Sequence, residues 1–188
     1  MGKIWAGCLK NPEANQPSYR RMTMRRALVF FATAAAASLV APGIFAGGGE
    51  RNFKATLDGW QEVPTNSTTG SGTFRAKVND HELSIDFELS ISDLEGQVGG
   101  AHIHIGRPGT YAGFIALLCG PGLNAPQPCP QSGTITGTIT AQHVVGQPDR
   151  GIEPGNIAEV IAAMRAGATF VNVHSTRFPN GEIRGAIK

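Results

Sequence analysis

The feature that most constrains this chain is a two-residue alternation that returns in short runs. NFKATLD, residues 52–58, sets Phe53, Ala55 and Leu57 against Lys54, Thr56 and Asp58. That is the period of a strand with one buried face. TFRAKVN (73–79) repeats the pattern with Phe74, Ala76 and Val78 inward, and ELSIDFELS (82–90) with Leu83, Ile85, Phe87 and Leu89. Asn79-Asp80-His81 joins these two runs into a predicted hairpin. GGAHIHI (99–105), GFIALLC (113–119), SGTITGTIT (132–140), ATFVNVHS (168–175) and GEIRGAIK (181–188) bring the series to eight. GFIALLC is continuously apolar, as a central strand is. The 25 glycines and 12 prolines supply turns between the runs. NIAEVIAAMRAG (156–167) breaks the series: Ile157, Val160, Ile161 and Met164 recur at helical spacing, between a capping Asn156 and a terminating Gly167. The predicted fold is all-β, a Greek-key β-sandwich of immunoglobulin-like or superoxide-dismutase-like type with one short helix.

The N-terminal quarter has a different composition. Residues 1–21 carry no usable pattern and read as a mis-called or unstructured extension, which makes Cys8 irrelevant. Residues 22–46 read as a signal peptide. Arg20, Arg21, Arg25 and Arg26 are its basic region, ALVFFATAAAASLVAPGIFA its apolar stretch, and Ala46 its cleavage residue. The apolar run is just long enough to span a bilayer. Pro42 and Gly43 interrupt it, however, and no basic stop-transfer flank follows, so no membrane span is expected after cleavage. The paired arginines also fit export of a folded chain. Removing the first 46 residues leaves ten basic and thirteen acidic side chains, a net charge of −3. No basic patch remains for nucleic acid. The expected location is secreted or periplasmic. Cys119 and Cys129 remain in the mature chain, and in an oxidising compartment an even pair across a loop-like segment reads as a disulfide.

GWQEVPT, AHIHIGRPG and FVNVHSTRFPNGEIRGAI occur in that order along residues 52–188. Together they resemble the CHRD domain, the repeat first described in chordin. This chain departs from the family pattern at Thr65, Ile105 and Ala186. The resemblance implies an extracellular β-sandwich module with no enzymatic activity generally attached to it. Its partner would be an extracellular protein or polysaccharide, met by loops 59–72, 106–112 and 120–132.

Chemistry concentrates in three of the runs. His102 and His104 share one strand face, Asn172 and His174 another, and Glu182 and Arg184 a third. If these strands are neighbours, the six side chains gather, with Glu62 from the first loop beside them. Three imidazoles suit copper or zinc, with a carboxylate as fourth or outer ligand. A His-x-His strand is also similar to the copper-binding strand of Cu/Zn superoxide dismutase, although the histidines and aspartate of that enzyme's zinc loop are missing here. The alternative is a hydrogen-bonded histidine network with Glu182 and Arg184 paired beside it. Glu62 and Glu182 as a glycosidase acid/base pair is a third reading. His81 and His143, in a turn and near a loop, are expected to be solvent-exposed. No nucleophile elbow or phosphate-binding glycine loop is present.

Overall fold

A computed structural model describes residues 49–121 and 125–188. The extension and the leader at residues 1–46 lie outside the described residues. Among those described, no helix is long and apolar enough to cross a membrane.

Eight antiparallel strands form one sheet: β1 (Asn52–Asp58), β2 (Ser71–Val78), β3 (Ile85–Ser92), β4 (Val98–Ile105), β5 (Phe114–Cys119), β6 (Gly133–Ile139), β7 (Thr169–Ser175) and β8 (Ile183–Ala186). Their order is β5-β4-β7-β8-β1-β2-β3-β6. The non-sequential neighbours β3–β6 and β4–β7 are the Greek-key crossovers of the expected fold. The sheet folds over on itself until its two ends, β5 and β6, come into contact, which makes the sandwich barrel-like. β8 and β1 join the two halves through Asp58 opposite Arg184, and through reciprocal hydrogen bonds between Lys54 and Lys188.

The alternation builds the core. Phe53, Leu57, Phe74, Val78, Ile85, Leu89, Ile103, Val171, Val173 and Ile183 all point inward and are buried. The helix α1 spans Ile157–Arg165; the Asn156 side chain accepts the Glu159 N–H at 3.3 Å, and Ile157, Val160, Ile161 and Met164 join the same core. Cys119 and Cys129 are bonded as a disulfide.

Three readings of the sequence need correction. Leu83 is 66% exposed, because Glu82 takes a left-handed backbone (φ 56°) and β3 starts only at Ile85. GFIALLC is not central: β5 ends the strand order, and its burial comes from a covering segment whose Val145 N–H donates to the Ile115 carbonyl and whose Val144 bridges to Ala116. His143 is buried, with its Nδ1 accepting the Thr140 backbone N–H at 3.0 Å in a short 3-10 turn after β6. His81 lies in a turn and is exposed, as expected.

Candidate metal centre

β4 and β7 lie side by side, with Gly100 opposite His174, His102 opposite Asn172 and His104 opposite Phe170. Ala101, Ile103, Val171 and Val173 fill the core, so period two turns His102, His104, Phe170, Asn172 and His174 to the outer face. The pairing of β4 with β5 shifts register immediately before each histidine, the kind of irregularity that re-aims side chains. Gly100 completes the arrangement. A Cβ there would stand 3.2 Å from His102 Nε2, so the bare glycine gives that ring its place.

The three imidazoles converge. Ring centroids are 5.0 Å apart for His102 and His174, and 5.8 Å for each of the other two pairs. One ligand nitrogen from each ring lies within 4.8 Å of the others. The loop after β4 supplies the Ala112 carbonyl, which accepts the His104 Nδ1–H at 2.8 Å. The turn after β7 supplies the Pro179 carbonyl, which accepts the His174 Nδ1–H at 3.1 Å. A carbonyl cannot donate, so both rings carry their proton on Nδ1 and leave the Nε2 lone pair free. Those two Nε2 atoms and His102 Nδ1 are buried without any hydrogen-bond partner. Burial, reinforced by the neighbouring His174 and His104, lowers the pKa of His102 to about 3. Burial lowers that of His104 to about 4 against the opposing Ala112 hydrogen bond, and lowers that of His174 as well. All three rings are therefore neutral at pH 7, the form that binds metal.

Aromatic rings flank the group. Phe114 stacks on His102 at 4.6 Å and Phe170 on His104 at 4.8 Å. A cleft of about 580 Å³ opens over the histidines, lined also by Tyr111, Gln147 and Thr176. Zinc–imidazole bonds of about 2.0–2.1 Å place ligand nitrogens roughly 3.4 Å apart, so closure on an ion needs each ring to move by less than about an ångström.

The remaining polar residues divide. Asn172 Nδ2 donates to Glu62 Oε1 at 2.7 Å. Arg184 lies on the adjacent strand opposite Asn172, donates to the Thr110 and Arg107 carbonyls at 2.7 and 3.2 Å, and covers Phe170 at 3.3 Å from the ring centre. Burial raises the Glu62 pKa to about 7 against the opposing pull of the Val63 N–H, Arg184 and Asn172. Glu62 and Arg184 line a second cleft of about 320 Å³ beside the exposed Trp60.

Glu182 leaves the group, and the expected Glu182–Arg184 pair does not form. Glu182 precedes β8, is wholly buried, and accepts from the Thr68 hydroxyl and the Glu95 N–H at 2.6 Å each. Glu62 therefore lines the cleft beside Trp60, whereas Glu182 is wholly buried against Thr68 and Glu95. Missed from the sequence were the carbonyls of Ala112 and Pro179 and the rings of Phe114 and Phe170. Of these, only Phe170 carried a signal, since it shares the parity of Asn172 and His174.

The family model described as CHRD domain matches residues 53–187. No curated protein and no solved structure gives a significant match to the chain.

Proposed function

The chain belongs to the CHRD domain family, and we propose that it is an exported, non-catalytic module whose ligand is a late first-row transition-metal ion, copper or zinc, held by His102, His104 and His174. One observation carries this reading: the three imidazoles each bring one nitrogen to within 4.8 Å of the others, and each ring has a buried nitrogen without a hydrogen-bond partner. A buried polar atom left unpaired costs roughly 1–3 kcal/mol, and a cation bound by the three rings would relieve that cost at each such nitrogen it takes. The two carbonyls behind His104 and His174 are the outer partners that orient metal-bound histidines. The leader at 22–46 and the Cys119–Cys129 disulfide support a secreted or periplasmic location. A second surface, the Glu62 and Arg184 cleft with Trp60 at 68% exposure, supports contact with an extracellular protein or polysaccharide at loop 59–72.

The test uses the full chain with its disulfide formed, stripped by chelator and titrated with copper and with zinc. Binding of one ion per chain should raise the melting temperature, and at a hundredfold excess over Kd it adds about 2.7 kcal/mol. His174→Ala should abolish it. Absence of binding, with a variant that is merely less stable, would return the histidines to a hydrogen-bond network.

A further inference from the structure

The charge around the three histidines carries a finer statement, which rests on the metal reading above. We infer that the centre selects a monovalent ion, cuprous copper, over divalent ions, and that Arg184 acts through Phe170 and His104 as the positioning and selecting residue.

The donor set is three neutral imidazoles, and among the described residues no carboxylate or thiolate joins the cluster. Nothing in it offsets the second charge of a divalent ion. The nearest cation is built into the layer behind the ligands. Arg184 is 3% exposed, and its guanidinium lies 3.3 Å over the centre of Phe170. Phe170 in turn stacks on His104 at 4.8 Å with only 15° between the planes. The two spacings put the guanidinium within about 8 Å of the His104 ring centre. At that range and in a partly buried setting its repulsion is only weakly screened by solvent, and it acts twice as strongly on a divalent ion as on a monovalent one. Of the other buried acids, Glu182 is held by Thr68 and Glu95, while Glu62 faces Asn172 and shares a cleft with Arg184, where it offsets part of that charge when ionised.

Coordination preference points the same way. Three nitrogens walled by Phe114 and Phe170 can complete the low coordination number of cuprous copper, whereas zinc or cupric copper held there would each draw a further ligand such as water from the cleft. An apolar wall around a metal favours its lower charge. Arg184 also donates to Arg107 and Thr110, in the loop whose Ala112 carbonyl orients His104, so the same side chain charges the site and shapes it.

The experiment compares affinities for Cu(I), held reduced by ascorbate in the absence of air, and for Zn(II), each by competition with a chromophoric chelator at pH 8. Wild-type protein, Arg184→Gln, Arg184→Lys and Glu62→Gln are measured as full chains, with circular dichroism to establish folding. The inference expects the wild type to favour Cu(I). Arg184→Gln should lower the Cu(I)-to-Zn(II) affinity ratio about tenfold, and Arg184→Lys should restore most of it. Glu62→Gln, which removes a countercharge without touching a histidine, should raise the ratio; this arm decides the matter if Arg184→Gln fails to fold. Zinc binding as tightly as Cu(I) in the wild type, or an unchanged ratio in the folded Arg184 and Glu62 variants, would overturn the inference while leaving a metal site. Failure of every ion to bind would overturn both.

Discussion

The two halves of the sheet treat their outer faces in opposite ways. In β1, β2, β3 and β6 the outward side chains Lys54, Arg75, Lys77, Asp86, Glu88 and Thr136 are exposed, with Arg75 opposite Glu88 and Lys77 opposite Asp86 in the strand register. This is the ordinary antiparallel sheet, dry within and wet without. In β4, β7 and β8 most outward residues are also polar, Phe170 being apolar, but loops lie over them: Asn172 and Arg184 are 3% exposed, and His104 is 7% exposed. A strand covered on both faces is normally apolar throughout. Polar side chains kept there, with nitrogens left unpaired, are what the metal proposal rests on, because such burial is costly unless something completes it.

The comparison can be broken at several strengths. Phe74, wholly buried in the plain half, underlies both halves through the common core. We expect Phe74→Ala to lose about 3–5 kcal/mol in urea unfolding, with metal stoichiometry unchanged wherever the protein remains folded; altered stoichiometry would mean the halves are not separable. Replacing Cys119 and Cys129 together by serine should lose roughly 2–3 kcal/mol for so short a loop, again without removing the ion.

The covered half also makes opposing pH signatures. Unfolded histidines take up protons near 6.5, whereas folded His102 and His104 resist to about 3 and 4, so their contribution is present above 6.5 and is lost as pH falls through that interval. Glu62 has the opposite sign. Its folded pKa of about 7 exceeds its ordinary 4.5, so its contribution is full below 4.5 and is lost as pH rises to 7. Denaturation of Glu62→Gln at pH 4.5 and pH 8 should show this drop removed, a difference of about 1–2 kcal/mol. On the wet face, Arg75→Gln should change stability by less than about 0.5 kcal/mol at any of these pH values. A larger change there would erase the distinction between the faces.

Periodicity carried most of this. Seven strands, the helix and its Asn156 cap, and the shared face of His102 and His104 follow from alternation and spacing, and β5 from its continuous apolar run. Parity also put His174 on the right side of β7. What parity does not contain is strand order, and the meeting of three histidines needs β4 beside β7. Glu182 shows the same gap from the other side. It has the parity of Arg184, but its partners Thr68 and Glu95 come from loops distant in sequence. Leu83 was misread because one left-handed residue, Glu82, delays the start of β3. His143 was misread because a short turn captures its ring by backbone hydrogen bonding, a local competition that a hydropathy pattern does not register.

The segment that covers β5 has a consequence for how the molecule meets others of its kind. A terminal strand ordinarily offers a row of free amides and carbonyls to which another chain can add. Here Val145 and Gly146 donate to Ile115, and Val144 bridges Ala116, so the Ile115–Ala116 part of that margin is already occupied. A second copy adding to this side would find the middle of the strand already paired. The histidine cleft, which includes Phe114 of β5, thus lies beside a strand whose middle is closed to strand addition.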